Sequence, residues 1–286
     1  MKRDFKFVKY HGCGNDFILR DEVEVRPTPD RIRSRMAKDL TDRNFSVGAD
    51  GVIFIERAKG VDASMRLFEP AGNEADMCGN GIRCVAAYLM TKLGKDSVDI
   101  QTRDGVKRIE KVGGEYRVDM GVVRTRRKDL RAYVMDKGKG ADLMLGFKFR
   151  AGDREFSGSI VNSGEPHIVA RARNIGSLDM KSIGDAVNKD RRRFPGGVNV
   201  NFVQVKDPHT ILVRTYERGV YDETLACGTG STAAAVVALL LKWVRPGTVN
   251  VITRGGRIRI QKGRGGRAFM TGPAIRAYEG QLCIDA

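Results

Sequence analysis

Residues 66–90 read RLFEPAGNEADMCGNGIRCVAAYLM, and this stretch decides the fold. At its centre is Cys-Gly-Asn-Gly, residues 78–81, where the glycines let backbone N–H groups come close to a ligand. Apolar residues then recur at the spacing of one helical face, at Ile82, Val85, Ala86 and Leu89. The pattern predicts a helix that begins directly after Cys78, so the thiol lies at a loop-to-helix junction.

A second copy of this design lies further along the chain. Residues 214–241 read RTYERGVYDETLACGTGSTAAAVVALLL, and Cys227 precedes an apolar helical run. The two cysteines are 227 − 78 = 149 residues apart, and a Glu lies four residues before each of them. Other motifs recur at nearly this offset: Gly14-Asn15 with Gly164-Glu165, and Thr102-Arg103 with Thr253-Arg254. Long-period self-similarity of this kind predicts an internal duplication with one cysteine in each half.

The length of 286 residues favours two domains over one. Strand patterns surround one long helix in each half, which predicts an α+β fold in which each half is a mostly antiparallel β-sheet or barrel around a central helix. We expect the halves at residues 1–124 and 125–272, with residues 273–286 as a final segment. Residues 124–140 are charged and poorly periodic, which is typical of a connection.

Two shorter helices are also expected, one in each half. Apolar spacing places them at residues 31–40 and 178–187. Ser177 is a candidate N-cap for the second helix. Gly184 lies inside that second helix and weakens its prediction, because glycine disfavours helix interiors.

The net charge of +16 raises two possible partners, nucleic acid and a membrane surface. Few aromatic residues are interleaved with the basic clusters, so a solvated basic surface that could steer anionic substrates is favoured. The longest apolar run, residues 233–244, contains Lys242 and is too short to span a membrane. No signal-peptide pattern is present at the N-terminus. We therefore expect a cytoplasmic protein with no membrane partner.

Five cysteines are present, an odd number without the density of a disulfide framework. In a cytoplasmic protein such cysteines indicate thiol chemistry or a metal site. No Cys-x2-Cys spacing and no paired histidines occur, so no metal is predicted. Cys13, Cys84 and Cys283 are expected to be structural, and Glu74 and Glu223 to brace the turns before the two helices.

Two thiols at matching helix starts suggest a specific reaction. A helix N-terminus lowers the pKa of a thiol and binds anions through its free N–H groups. The N–H groups expected to hold a substrate carboxylate belong to Gly79, Asn80, Gly228 and Thr229. One thiolate would remove the proton from the adjacent carbon, while the other thiol delivers a proton to the opposite face. Such a reaction inverts a stereocentre.

Seven stretches now point to a family. HGCGNDF, VGADG, EADMCGNGIRC, GEPH, NVNF, YERGV-x-DET and ACGTG, which span nearly the whole chain, resemble diaminopimelate epimerases. The resemblance implies a cofactor-independent epimerase, usually homodimeric, with two pseudosymmetric domains and a last strand that returns to the first domain. It implies inversion of LL-diaminopimelate to meso-diaminopimelate, a small-molecule substrate of lysine and cell-wall precursor synthesis.

The resemblance also assigns roles to residues. Cys78 and Cys227 would be the acid/base pair, and His167 and Glu217 would tune the pKa values of the thiols. The residues implied to bind substrate are Asn15, Glu69, Gly79, Asn80, Glu165, Asn199, Glu217, Arg218, Gly228 and Thr229.

Three positions depart from the family pattern. Glu69 and Glu165 stand where amides are usual, and Gly51 replaces a side-chain amide. A carboxylate there repels a substrate carboxylate and attracts an ammonium group, unless Arg218 neutralises it. A racemase of another, basic amino acid is therefore an alternative. From a different class, a nucleic-acid-binding protein on an inactive epimerase scaffold is a further alternative, against which the intact cysteine pair argues.

Overall fold

The computed structural model describes residues 2–135, 144–151 and 153–285. The chain forms two compact units, one of Met1–Val118 with Thr271–Ala286 and one of Asp119–Met270. The expected connection, residues 124–140, lies partly outside the described residues, as do its glycines Gly138 and Gly140. None of the helices in the described ranges is long and apolar enough to cross a membrane.

The elements follow one another along the chain in two series. The first series is β1 (Lys2–Gly12), β2 (Asn15–Glu22), α1 (Asp30–Leu40), β3 (Gly51–Glu56), β4 (Ala63–Phe68), β5 (Glu74–Ala75), α2 (Gly79–Leu93), β6 (Ser97–Thr102), β7 (Gly105–Val112) and β8 (Glu115–Val122). The second series is α3 (Arg127–Leu130), β9 (Phe147–Ala151), β10 (Arg154–Asn162), β11 (Pro166–Arg171), α4 (Met180–Lys189), β12 (Asn199–Asp207), β13 (Thr210–Glu217), β14 (Asp222–Thr224), α5 (Gly228–Leu240), β15 (Thr248–Thr253), β16 (Gly256–Lys262), β17 (Arg267–Gly272) and β18 (Ile275–Asp285).

Strand pairing in the first unit runs through one mixed sheet. β18 pairs antiparallel with β1, and β1 pairs antiparallel with β2. β2 and β3 are parallel, and β4 then pairs antiparallel with β3 and with the short β5. β4 is also parallel to β6, which continues antiparallel into β7 and β8. The short strand β5 leads directly into the helix that begins after Cys78.

The second unit repeats these pairings. After the antiparallel strands β9, β10 and β11, β11 and β12 are parallel. β13 pairs antiparallel with β12 and with the short β14, and it is parallel to β15, which pairs antiparallel with β16. The same order of parallel and antiparallel partners in both units confirms the predicted α+β fold with two pseudosymmetric domains.

Each unit has one helix buried on almost all sides. α2 contacts five strands of its unit, namely β1, β2, β4, β6 and β18, and α5 contacts six, namely β10, β11, β12, β13, β15 and β16. Ten of the thirteen residues of α5 are buried, and the helix is rich in Ala and Val. A helix that is apolar all round belongs in a core. The sheets therefore fix the position and direction of both cysteine helices.

The shorter helices are present, with one correction. The predicted N-cap Ser177 is wrong, because the carboxylate of Asp179 accepts a hydrogen bond from the backbone N–H of Ser182 at 3.0 Å. α4 accordingly begins two residues later than expected, at Met180, and continues to Lys189. Packing explains why position 184 of this helix is a glycine, because a Cβ there would lie 2.1–2.4 Å from the ring of Tyr216.

Candidate functional site

Both cysteines are the N-cap residues of the buried helices. Cys78 and Cys227 have extended backbone angles, with φ −132° and ψ 121° for the first and φ −104° and ψ 118° for the second. Each sulfur accepts a hydrogen bond from the backbone N–H three residues later, from Gly81 at 3.4 Å and from Gly230 at 3.3 Å. The thiols thus take the place usually filled by Ser or Asp oxygen atoms. Both lie where the positive end of the helix dipole attracts negative charge.

In the first unit, the sulfur lies beside a pair of hydrogen-bonded amides. The Cys78 thiol lies 3.6 Å from Oδ1 of Asn15, and the Asn80 side-chain amide donates to the same oxygen at 3.2 Å. The Asn15 amide nitrogen in turn donates to Asp50 at 2.7 Å. Three residues that the sequence pointed to, Cys78, Asn15 and Asn80, therefore lie together. Asp50 holds Asn15 in orientation, and its role was not predicted from the sequence.

Arg83 contacts this cluster through Asn80, and its role was also not predicted from the sequence. Its side chain is fully buried and donates to Oδ1 of Asn80 at 2.8 Å and to the carbonyl of Gly79 at 3.1 Å. Two glycines leave room for the guanidinium: a Cβ at Gly12 would lie 2.9 Å from its Nη2, and one at Gly272 would lie 3.3 Å from its Cζ. The buried guanidinium therefore orients the Asn80 amide at the start of the helix.

Glu69, the remaining side chain predicted to bind substrate in the first unit, lies in the turn before β5. The Asn73 side-chain amide donates to the carboxylate of Glu69, and the backbone N–H of Glu69 donates to the Asn73 carbonyl at 2.9 Å. Gly51 has a steric reason, because a Cβ there would lie 2.7 Å from Cδ1 of Leu67. An amide side chain at position 51 would therefore require Leu67 to move.

In the second unit, the sulfur is buried beside a hydroxyl and a carboxylate. Sγ of Cys227 lies 3.3 Å from Oγ1 of Thr229, and only 6% of the residue is exposed. Burial raises the pKa of the Cys227 thiol well above its ordinary value, and the negative charge of Glu217 raises it further. The hydrogen bonds from Thr229 and Gly230 oppose this rise in pKa but do not outweigh it. The expectation of a lowered thiol pKa is therefore wrong for Cys227, because desolvation exceeds the effect of the helix N-terminus.

His167 is fully buried in the second unit and is neutral. Its Nδ1 lies 3.0 Å from the side-chain amide nitrogen of Asn201, so Nδ1 accepts and the proton is on Nε2. Burial, with a smaller contribution from the charge of Arg218, lowers the pKa of His167 to about 3. Within the described residues, Nε2 has no hydrogen-bond partner. Asn201 was not predicted, although it also accepts from Thr215 at 2.9 Å and would collide with any side chain at Gly230.

Arg218 connects the other predicted residues of the second unit. Its Nε donates to Glu165 at 2.7 Å, its Nη1 donates to the Gly196 carbonyl at 3.0 Å, and its backbone N–H donates to Oδ1 of Asn199 at 2.8 Å. The unusual carboxylate at position 165 is therefore paired with the guanidinium. Glu217 accepts a hydrogen bond from the hydroxyl of Thr224, which belongs to β14.

Among solved structures, a hydroxyproline epimerase from Agrobacterium vitis has the same fold. It aligns with a TM-score of 0.68 over 100% of this chain and 95% of that chain, at 14% sequence identity. The fold thus places this chain in a structural class that also contains that protein.

Sequence relatives narrow this class to one family. The profile of the family described as diaminopimelate epimerase matches residues 7–125 and 159–277. A diaminopimelate epimerase from Methanocella arvoryzae is 39% identical over 98% of this chain and 97% of its own length. One from Methanothrix thermoacetophila is 41% identical over 96% of this chain and 95% of its own length. The chain belongs to the diaminopimelate epimerase family, which confirms the resemblance noted in the sequence.

Proposed function

We propose that this protein is an isomerase that converts LL-diaminopimelate to meso-diaminopimelate by a cofactor-independent, two-base reaction. Membership of the family and the near-complete coverage of its relatives support this activity. The observation that carries the mechanism is the repeated frame: Cys78 and Cys227 each cap a buried helix, and each accepts from the N–H three residues later. No second function is favoured by the contacts of the two units.

In the proposed reaction, the two thiols serve opposite faces of one carbon. One thiolate removes the α-proton, and the other thiol donates its proton to the opposite face, so the configuration inverts and no net proton is consumed. The raised pKa of Cys227 keeps that sulfur protonated in the free protein. Cys227 is therefore the proposed proton donor for the first turnover from the free protein, and Cys78 the proposed base. In the reverse direction the roles exchange.

The carboxylate beside the reacting carbon is the proposed ligand of the helix starts. The backbone N–H groups of Gly79 and Asn80 in one unit, and of Gly228 and Thr229 in the other, belong to the first turn of a helix, at the positive end of its dipole. Charge that develops on the carboxylate as the proton leaves is stabilised by such fixed donors. His167 and Glu217 are the proposed residues that adjust the pKa values of the thiols.

We propose that Arg218 binds the end of the substrate that lies away from the reacting carbon. The other residues proposed to line the site are Asn15, Asn199, Glu69, Glu165 and Glu217. Glu165 already pairs with Arg218, so the carboxylate of Glu165 does not stand as an uncompensated charge. At position 165, this pairing removes the electrostatic objection to a substrate that carries a second carboxylate.

The family and the chemistry also support proposals on assembly and location. We propose a homodimer, in keeping with the usual state implied by the resemblance. We also propose a cytoplasmic location, because the reaction requires reduced thiols and the five cysteines, all in the described ranges, are not joined in disulfides.

The deciding experiment follows hydrogen exchange at the α-carbon. The reduced protein is incubated in deuterated water with LL-diaminopimelate, lysine, arginine or histidine in separate samples. We expect deuterium at the α-carbon and inversion with diaminopimelate alone. Exchange with a basic amino acid and not with diaminopimelate would replace the proposal by the basic amino-acid racemase. No exchange with any of them, together with salt-dependent nucleic-acid binding in a filter assay, would favour the inactive scaffold.

A further inference from the structure

Glu74 lies four residues before Cys78 and is held by two arginines. Arg66 donates side-on to both carboxylate oxygens, from Nε to Oε1 at 2.8 Å and from Nη2 to Oε2 at 2.7 Å. Arg103, at the turn after β6, adds a second cation 3.4 Å from Oε2. The Glu74 and Arg66 side chains are 14% and 24% exposed, so the pair is largely shielded from water.

The second unit builds the same group from the corresponding residues of its own half. Nε of Arg214 donates to Oε1 of Glu223 and Nη2 to Oε2, both at 2.7 Å. Arg254, at the turn after β15, lies 3.1 Å from Oε2. The Glu223 side chain is only 9% exposed. We call each group of three, Arg66–Glu74–Arg103 and Arg214–Glu223–Arg254, an arginine clamp.

Each clamp also reaches the start of the shorter helix of its unit, though by different means. Nη1 and Nη2 of Arg66 donate to the carboxylate of Asp30, the first residue of α1, at 2.7 and 2.9 Å. Nη1 of Arg214 donates instead to the backbone carbonyls of Ile175 and Leu178, before α4, at 2.6 and 2.8 Å. The central arginine is thus connected on two sides in both units.

The segments that the clamps hold have little other support from the sheet. β5 has two residues and β14 has three, and each pairs with one neighbouring strand in the registers described. A strand this short contributes few backbone hydrogen bonds, yet the cysteine that caps the helix follows it within four residues. Bidentate Arg–carboxylate pairs fix direction as well as distance, which a single hydrogen bond does not.

From this repetition we infer that Glu74 and Glu223 are positioning residues, each of which fixes the sulfur of the cysteine four residues later. The inference rests on the proposed function only where turnover is measured. Small displacements of reacting groups lower rates strongly, so the turnover number is the sensitive quantity. Because each clamp belongs to one unit, its loss affects one thiol and not the other.

The test replaces each glutamate by its neutral isostere, Glu74→Gln and Glu223→Gln. Epimerisation is measured at steady state, and the alkylation of Cys78 and Cys227 by iodoacetamide is followed separately by mass spectrometry of their peptides. We expect kcat to fall about tenfold to a hundredfold in either variant, with KM within about threefold. Glu74→Gln is expected to make Cys78 react at least about threefold faster and leave Cys227 unchanged, and Glu223→Gln to do the reverse.

Matched controls remove a carboxylate from an exposed pair in the same unit. Glu110→Gln loses a contact with Arg108 at 3.5 Å, and Glu155→Gln loses one with Lys148 at 3.1 Å. Neither control is expected to change turnover or labelling. If a glutamate variant does not fold, Arg103→Gln or Arg254→Gln takes its place. Each of these substitutions, at an exposed arginine, removes one contact of the clamp.

The outcomes separate this inference from the proposed function. Equal acceleration of both thiols by either variant, or unchanged labelling and turnover in both, would overturn the positioning role. A native protein without activity on diaminopimelate would instead remove the proposed substrate, while the labelling pattern of the two thiols would still decide whether the clamps act locally.

Discussion

The two cysteine sites have the same backbone frame and different surroundings. Both sulfurs accept from the N–H three residues later, at 3.4 Å in one unit and 3.3 Å in the other. Cys78 is partly exposed, and its thiol lies beside the amide oxygen of Asn15, to which the Asn80 amide also donates. Around Cys227, which is buried, the neighbours are the hydroxyl of Thr229 and the charge of Glu217. The duplication thus preserved the position of the thiol but not its electrostatic environment.

This difference shows that a repeated motif can fix the position of a thiol without fixing its protonation state. The helix N-terminus acts on both thiols, yet burial and a nearby carboxylate leave the pKa of Cys227 well above its ordinary value. The first residue of each helix shows a similar difference. Its backbone carbonyl accepts a hydrogen bond from the fifth residue after the cysteine. In the first unit Arg83 donates to Gly79 at 3.1 Å, and in the second Thr232 donates to Gly228 at 2.9 Å.

The largest effect is expected from removing either thiol. Cys78→Ser and Cys227→Ser keep the size of the side chain, but the serine hydroxyl is a far weaker acid and base. We expect each to lower inversion of LL-diaminopimelate at least about a hundredfold, the scale of a lost acid/base group. The measurement is polarimetry or chiral chromatography of the product. Cys283→Ser, at an exposed position, is the control and is expected to retain full activity.

If the two serine variants lose activity to different extents, the two-base scheme stands and only the assignment of proton donor and base is refined. A variant of either cysteine that inverts substrate at nearly the native rate would instead break the two-base scheme, because a single thiol would then suffice.

Sequence pattern was enough to predict the backbone frame of both sites. The helices after the cysteines and the α+β layout follow from apolar spacing, which is a local signal, and the duplication follows from motifs that recur at nearly one offset. Asn80 and Thr229 were predicted as site residues from their Gly-rich motifs and Asn15 from the family resemblance, and the structure places each beside the cysteine cluster of its unit.

Three residues of the sites were missed for a physical reason. Asp50, Arg83 and Asn201 lie within motifs of the family, but a motif does not show which of its side chains the fold turns towards the site. The raised pKa of Cys227 was missed likewise, since desolvation depends on complete packing around the thiol. Ser177 and Asp179 are both good N-caps, and local preference does not decide between them.

The next effect concerns stability and contrasts Arg83 with Thr232. Arg83→Met removes a buried guanidinium that satisfies Asn80 and two backbone carbonyls, which leaves buried acceptors without donors. We expect the free energy of unfolding to fall by about 3 kcal/mol. Thr232→Val removes one hydrogen bond at the matching position and is expected to cost about 1 kcal/mol. Urea unfolding followed by circular dichroism measures both, and equal losses would contradict the contrast.

A smaller effect is expected from the buried His167, through pH. Its pKa is about 3 in the folded protein, against 6.5 for an exposed histidine. Below pH 6.5 the unfolded chain therefore binds a proton that the folded protein refuses, and the free energy of unfolding falls as the pH falls. Between pH 7 and pH 5 this one group accounts for a loss of about 2 kcal/mol. His167→Gln should remove that part of the pH dependence in urea unfolding, and an unchanged pH dependence would show that the imidazole is not held neutral by burial.

The smallest effect tests the cause of the raised pKa at Cys227. Burial is the larger cause and remains in Glu217→Gln, whereas the negative charge of Glu217 is removed. The pKa of the thiol should therefore fall without reaching its ordinary value, so more thiolate is present at a given alkaline pH. We expect iodoacetamide to label Cys227 about threefold faster at pH 8.5, with the rate–pH curve displaced to lower pH. Glu155→Gln serves as the control, because its exposed carboxylate lies at the start of β10 in the same unit, beside Lys148. An unchanged curve in Glu217→Gln would mean that desolvation alone sets the protonation of Cys227, and the electrostatic difference between the two sites would then reduce to a difference in burial.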